Sequence, residues 1–149
     1  MAKGNLRMDW QSVKRFEKTL KAVHISVVRN SEQMLREMAS QIMENSTAMA
    51  PFDTGTIVAS RFLGDVQGTG TDEQIIHFGY AGPDTDQINP KTFKRASEYV
   101  VEVHEGFTPL QTGQPFFLLT PLTASKHEFR RKAEQLFSQT FTEARVRGR

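Results

Sequence analysis

Asp53-Thr54-Gly55 is the tripeptide in this chain whose residue types carry catalytic chemistry elsewhere. In aspartic-type hydrolases two such carboxylates share one proton and together activate a water. A short chain with one copy would complete the pair by dimerising. Those loops follow a hydrophobic strand, however, and here some forty residues of helical pattern come first. The simpler reading is structural. Asp53 caps its own turn through its carboxylate, and Gly55 supplies the permissive backbone for a reversal from helix into strand. Pro51, Asp53, Thr54 and Gly55 are therefore read as a junction, with hydrolysis by Asp53 in a dimer as the alternative.

Other reactive residue types are scattered. His24, His77, His104 and His127 include no pair at the spacing of a helical metal site. Gly68-Thr69-Gly70 lacks the lysine and the following helix of a phosphate-binding loop, so it reads as a hairpin turn. Ser60 has no nucleophile-elbow context. The chain has no cysteine, which excludes disulfides, thiolate metal sites and a thiol nucleophile. Catalytic, cofactor and metal sites are accordingly expected to be absent. Arg130, Arg131, Lys132, Arg145, Arg147 and Arg149 are candidate contacts to DNA or a partner. No helix-turn-helix, zinc-finger or stacking motif accompanies them, so any DNA contact would be non-specific.

The elements that position these residues follow from apolar spacing. Trp10, Val13, Phe16, Leu20, Val23, Val27, Met34, Met38 and Ile42 recur at helical intervals across 10–49. Asp9 is placed to cap the start. Asn30-Ser31-Glu32-Gln33 resembles a second capping box, so the pattern allows one helix of about 60 Å or two with a joint near Asn30. Pro51 stops the helix. Strands are expected over 56–67, 73–80 and 96–104, with a long loop at 81–91, giving a sheet region of 51–109. Segment 110–121 is dense in apolar residues, and Pro115, Phe116, Phe117 and Pro121 are expected to anchor it onto the sheet. A C-terminal helix is expected over 122–144, followed by a basic tail at 145–149. The expectation is a single α+β domain over 1–149: long N-terminal helix, small antiparallel sheet of about three or four strands, C-terminal helix.

Bulk properties limit the choices further. The 149 residues suit one domain, and no run approaches the roughly 20 apolar residues of a membrane span. The first residues lack the apolar stretch of a secretory signal. Net charge is +2 but uneven. Residues 1–50 carry 8 Lys/Arg against 5 Asp/Glu, 51–110 carry 4 against 9, and 126–149 carry 7 against 3. Basic ends around an acidic middle suit like molecules meeting head to tail, or a face turned to a polyanion. A helix as long as 10–49 cannot hide its apolar stripe in a small domain of its own.

Three segments also resemble a known family. Met49-Ala50-Pro51-Phe52-Asp53-Thr54-Gly55-Thr56-Ile57-Val58-Ala59-Ser60 looks like the A-x-P-x-D-T-G-x-L-x-x-S junction of tailed-bacteriophage tail-component proteins. Tyr99-Val100-Val101-Glu102-Val103-His104-Glu105-Gly106 is similar to their Y-A-x-Y-V-E-x-G segment, with Val100 in place of the small residue. Gln114-Pro115-Phe116-Phe117-Leu118-Leu119-Thr120-Pro121 resembles their Q-P-F-L-x-P segment, after an inserted Phe107–Gly113. The resemblance implies a structural neck or tail-completion protein, a head–tail connector without catalytic residues. It implies a homo-oligomeric ring, six- or twelvefold, between portal–adaptor and tail proteins, with genomic DNA passing through the lumen. The expected location is the virion's head–tail junction, after assembly in the host bacterial cytoplasm.

Overall fold

The computed structural model describes residues 9–147; the side chain of Arg147 and all of Arg149 lie outside the described residues. Helix α1, Trp10–Met49, is one continuous helix of 40 residues. Asp9 caps it, accepting from Gln11 N–H at 3.0 Å and from the Ser12 hydroxyl at 2.7 Å. No joint forms at Asn30. The polar cluster there serves a different purpose: Ser31 Oγ donates to the Val28 carbonyl, and Gln74 Nε2 reaches the same carbonyl at 2.9 Å. Gln74 belongs to the hairpin, so these residues tie it along the middle of α1. Arg36 to Asp65 at 3.1 Å and His24 to Asp72 at 3.3 Å extend the tie in both directions.

The sheet is smaller than the sequence pattern implies. After Pro51 the chain makes one helical turn, α2 (Thr56–Ala59), where a strand is expected. Gly55, at φ +73°, sets the entry to this turn, and its carbonyl accepts from Ala59 N–H at 2.8 Å. Only Arg61–Leu63 (β1) and Phe78–Tyr80 (β2) pair as antiparallel strands, with Phe62 opposite Gly79. An isolated bridge between Gln67 and Ile75 continues the hairpin toward the turn at Gly68–Asp72. The sheet of the described residues therefore has two strands, not three or four.

The third expected strand is helix α3, Ala96–His104. Tyr99, Val101 and Val103 alternate in sequence, but Val101 is exposed while Ala96, Tyr99, Val100 and Val103 turn inward. Those four positions have helical spacing. Asp86 fixes the start of α3 by accepting from Ser97 N–H at 2.9 Å and Ser97 Oγ at 2.6 Å. Gly106, at φ +77°, ends it in a Schellman motif: Gly106 N–H meets the Val103 carbonyl, and Phe107 N–H the Glu102 carbonyl.

Helix α4, Leu119–Arg147, begins three residues before its expected start and takes in the first part of the expected tail. It returns along α1: Thr140 and Ala144 share a cavity wall with Thr19 and Val23, and Lys132 lies beside Met38. The two helices are antiparallel. The fold is α+β, with long helices at both ends and a small two-stranded sheet between them.

Two glycines separate backbone need from packing need. A Cβ at Gly55 would meet only the exposed Phe52 ring, at 3.2 Å. At Gly113, φ +77°, it would lie 2.5 Å from Pro51 N and 2.6 Å from Pro51 Cα. Gly55→Ala is expected to cost about 1–2 kcal/mol for its left-handed backbone. Gly113→Ala should cost about 1–3 kcal/mol more, because the Pro51 backbone must move. Thermal denaturation of the two variants measures the order.

The two Ser97 hydrogen bonds, hydroxyl first and backbone second, hold the Asp86 carboxyl below the usual carboxylate range, with Arg95 adding a little. Its folded value is depressed, so the stabilisation is complete above the ordinary carboxylate pKa and is lost as pH falls through the folded value. Asp86→Ala should lower the melting temperature at neutral pH and narrow the gap to the unchanged protein at acid pH. A gap that stays constant from pH 7 to pH 2 would contradict this.

Candidate functional site

The junction places its residues in one wall of a cavity of about 230 Å³, with Asn89, Tyr99 and Thr112 opposite. Asp53 does not cap its own turn. Its Oδ1 accepts from Lys91 Nζ at 2.5 Å, across 38 residues of sequence, and both side chains are more than half exposed. Thr54 and Thr56 share a hydroxyl–hydroxyl hydrogen bond of 2.6 Å, and Phe52 N–H donates to Thr112 Oγ1 at 2.9 Å. The arrangement holds one carboxylate against one ammonium. A proton-sharing dyad would need that oxygen turned to a second carboxylate instead.

Ser60 proves more important than its sequence context indicates. It is fully buried, donates to the Ile57 carbonyl, and its own carbonyl accepts from Ala81 N–H and Thr85 Oγ1, each at 2.8 Å. It binds the start of the hairpin to the loop that follows it. The signal was available in its place at the end of the junction motif, three residues after a buried Ile57.

The anchor segment works through Phe117. This side chain is fully buried, edge-on to Tyr80 at 5.2 Å and to His104 at 5.0 Å between ring centroids. Phe116 precedes it at φ +56°, and its N–H donates to the His104 carbonyl at 2.6 Å. The His104 ring accepts at Nε2 from Leu119 N–H and meets Glu105 at Nδ1. Pro121 is buried at the start of α4, whereas Pro115 is exposed beside Gly106.

The basic residues do not form one patch of idle charge. Arg130 pairs with Glu134 at 3.1 Å, and Lys132 with Glu128 at 3.1 Å. Arg131 and Arg145 are exposed on α4. Among the described residues no group of three or more His, Asp or Glu side chains could hold a metal ion, and no helix is long and apolar enough to cross a membrane.

The far ends of α1 and α4 leave apolar side chains uncovered. Val13, Phe16 and Leu20 on α1, and Phe137 and Phe141 on α4, are all exposed. Leu20 and Phe137 line one cavity there. Comparison with protein-family models, curated proteins and solved structures gives no match to this chain.

Phe117→Ala is expected to cost about 3–5 kcal/mol, since it empties the centre of the core. Asp53→Asn breaks only an exposed ion pair and should stay within about 1 kcal/mol. Chemical denaturation of both variants gives the comparison; a large loss for Asp53→Asn would place unseen partners at the junction.

Proposed function

We propose that this chain is a structural subunit of a tailed-bacteriophage neck, a connector or tail-completion ring protein joining the portal–adaptor complex to the tail. The observation that carries the reading is a convergence. The three segments that resemble the phage family lie far apart in sequence, yet each supplies a wall of one buried cluster. Ala50 and Ile57 come from the junction, Val103 from α3, and Phe117 from the anchor segment. Each segment also contains a residue of positive φ: Gly55 opens α2, Gly106 closes α3, and Phe116 precedes the buried Phe117. The family-like residues are thus core and turn residues, as suits a scaffold.

The open seam of α1 and α4 supports the assembly part of the reading. It offers a neighbouring subunit the apolar surface that the chain's own residues leave uncovered. Arg131 and Arg145, exposed on α4, suit non-specific contact with DNA in a ring lumen.

Electron microscopy of tailed particles produced with and without the chain tests the proposal. Without it, filled heads and detached tails should accumulate. With it, an antibody against the chain should label the neck. Complete particles formed in its absence, or label confined to another part of the particle, would overturn the reading.

A further inference from the structure

Two helical rows of opposite charge match in spacing, and they lie on different parts of the molecule. On α1, Lys14, Lys18 and Lys21 follow one another at intervals of four and three residues, all exposed. On α3 and its C-cap, Glu98, Glu102 and Glu105 follow at the same intervals, also exposed. Intervals of four and three put each row on a single helix face. Each row also runs between exposed apolar side chains. Trp10 is 71% and Ile25 67% exposed at the two ends of the lysine row; Phe93 is 82% and Phe107 80% exposed before and after the glutamate row. The charged rows also agree in length, since Lys14–Lys21 and Glu98–Glu105 each rise roughly 10 Å along the helix axis.

Few intramolecular partners compete for these rows. Lys21 reaches Glu17 at 2.8 Å in an exposed pair, and Glu105 reaches the His104 ring, which is 18% exposed, at 3.0 Å. Lys14, Lys18, Glu98 and Glu102 make no ion pair among the described residues.

We propose that the lysine row of one copy docks on the glutamate row of the next, with Trp10 and Ile25 packing against the neighbour's Phe93 and Phe107. The contact rests on the ring reading above and specifies its subunit interface. A two-fold contact between like rows would oppose lysine to lysine or glutamate to glutamate, and a two-fold contact between unlike rows would stop at a dimer; the ring reading requires the heterologous form, in which one contact repeats in a single direction. An open assembly then keeps one unused lysine row at one end and one unused glutamate row at the other. Such contacts close into a ring or continue as a filament.

Sedimentation velocity on the purified chain tests this with Lys14→Glu/Lys18→Glu, with Glu98→Lys/Glu102→Lys, and with all four substitutions together. Each pair should weaken self-association by on the order of a hundredfold. The fourfold variant, with the charges exchanged, should recover it. Circular dichroism of each variant checks that exposed substitutions leave the helices intact. Wild-type protein that stays monomeric at every concentration overturns the interface, as does self-association indifferent to either pair. Retention of duplex DNA that Lys14→Glu/Lys18→Glu abolishes, without self-association, also overturns it and assigns the lysine row to a polyanion. None of these results touches the neck assignment, which stands or falls on the electron microscopy of particles made with and without the chain.

Discussion

Burial of the Phe117 ring organises the head of this molecule. The ring is held edge-on by Tyr80 from β2 and by His104 from α3, while Ile57 and Val103 close the remaining sides. Each wall comes from a different stretch of chain. The hydroxyl of Tyr80 also meets buried Ser46 at 2.7 Å, which links the same cluster to α1. A buried aromatic with several polar neighbours is costly unless those neighbours are satisfied. Here His104 uses both ring nitrogens and Tyr80 its hydroxyl, so the apolar ring and its polar surroundings stabilise one arrangement together.

From that constraint the short elements follow. The two-stranded sheet is too small to stand alone in water. It persists because β2 presents Tyr80 to the cluster and because Gln74 and Asp65 fasten the hairpin to α1. Helix α3, only nine residues long, is similarly marginal by itself and depends on the Asp86 cap at one end and Val103 burial at the other. The segment between them is ordered by an isolated antiparallel bridge between Ile88 and Arg95 and by side-chain contacts. Asn89 is buried and accepts from Lys91 N–H at 2.9 Å, and Lys91 in turn reaches Asp53. In this way the junction and the long loop become one surface.

The long elements were legible in the sequence because their apolar period persists over many turns. Helix α1 has its boundaries where Asp9 and Pro51 put them, and the turn at Gly68–Asp72 falls where glycine and threonine demand it. Residues 96–104 were not legible as a helix. Tyr99, Val101 and Val103 satisfy a period of two, and Ala96, Tyr99, Val100 and Val103 satisfy 3.6 equally well; what decides is Phe117, fifteen or so residues away, and the cap from Asp86. The same distance effect hid the partner of Asp53. A local turn would use its carboxylate for a cap, but Lys91 comes close only once the loop has folded back. For Ser60 the only sequence signal is its place at the end of the junction motif; its partners Ala81 and Thr85 come close only in the fold.

The distribution of burial explains why the two halves of the molecule read so differently. The head satisfies its own apolar residues around Phe117, and its exposed aromatics Phe93 and Phe107 flank the acidic helix α3. The α1–α4 arm satisfies only the stretch from Val23 to Met43, leaving Trp10, Phe16, Phe137 and Phe141 in water. Five Lys or Arg and one Glu lie between Trp10 and Arg29, so this arm repels its own copy along its basic face. Apolar surface draws subunits together without choosing an orientation. In the proposed contact, like-charge repulsion disfavours pairing of two lysine rows or two glutamate rows, and the opposite-charge rows of equal spacing supply the orientation. Specific assembly from a chain with so little net charge then depends on where the charges sit.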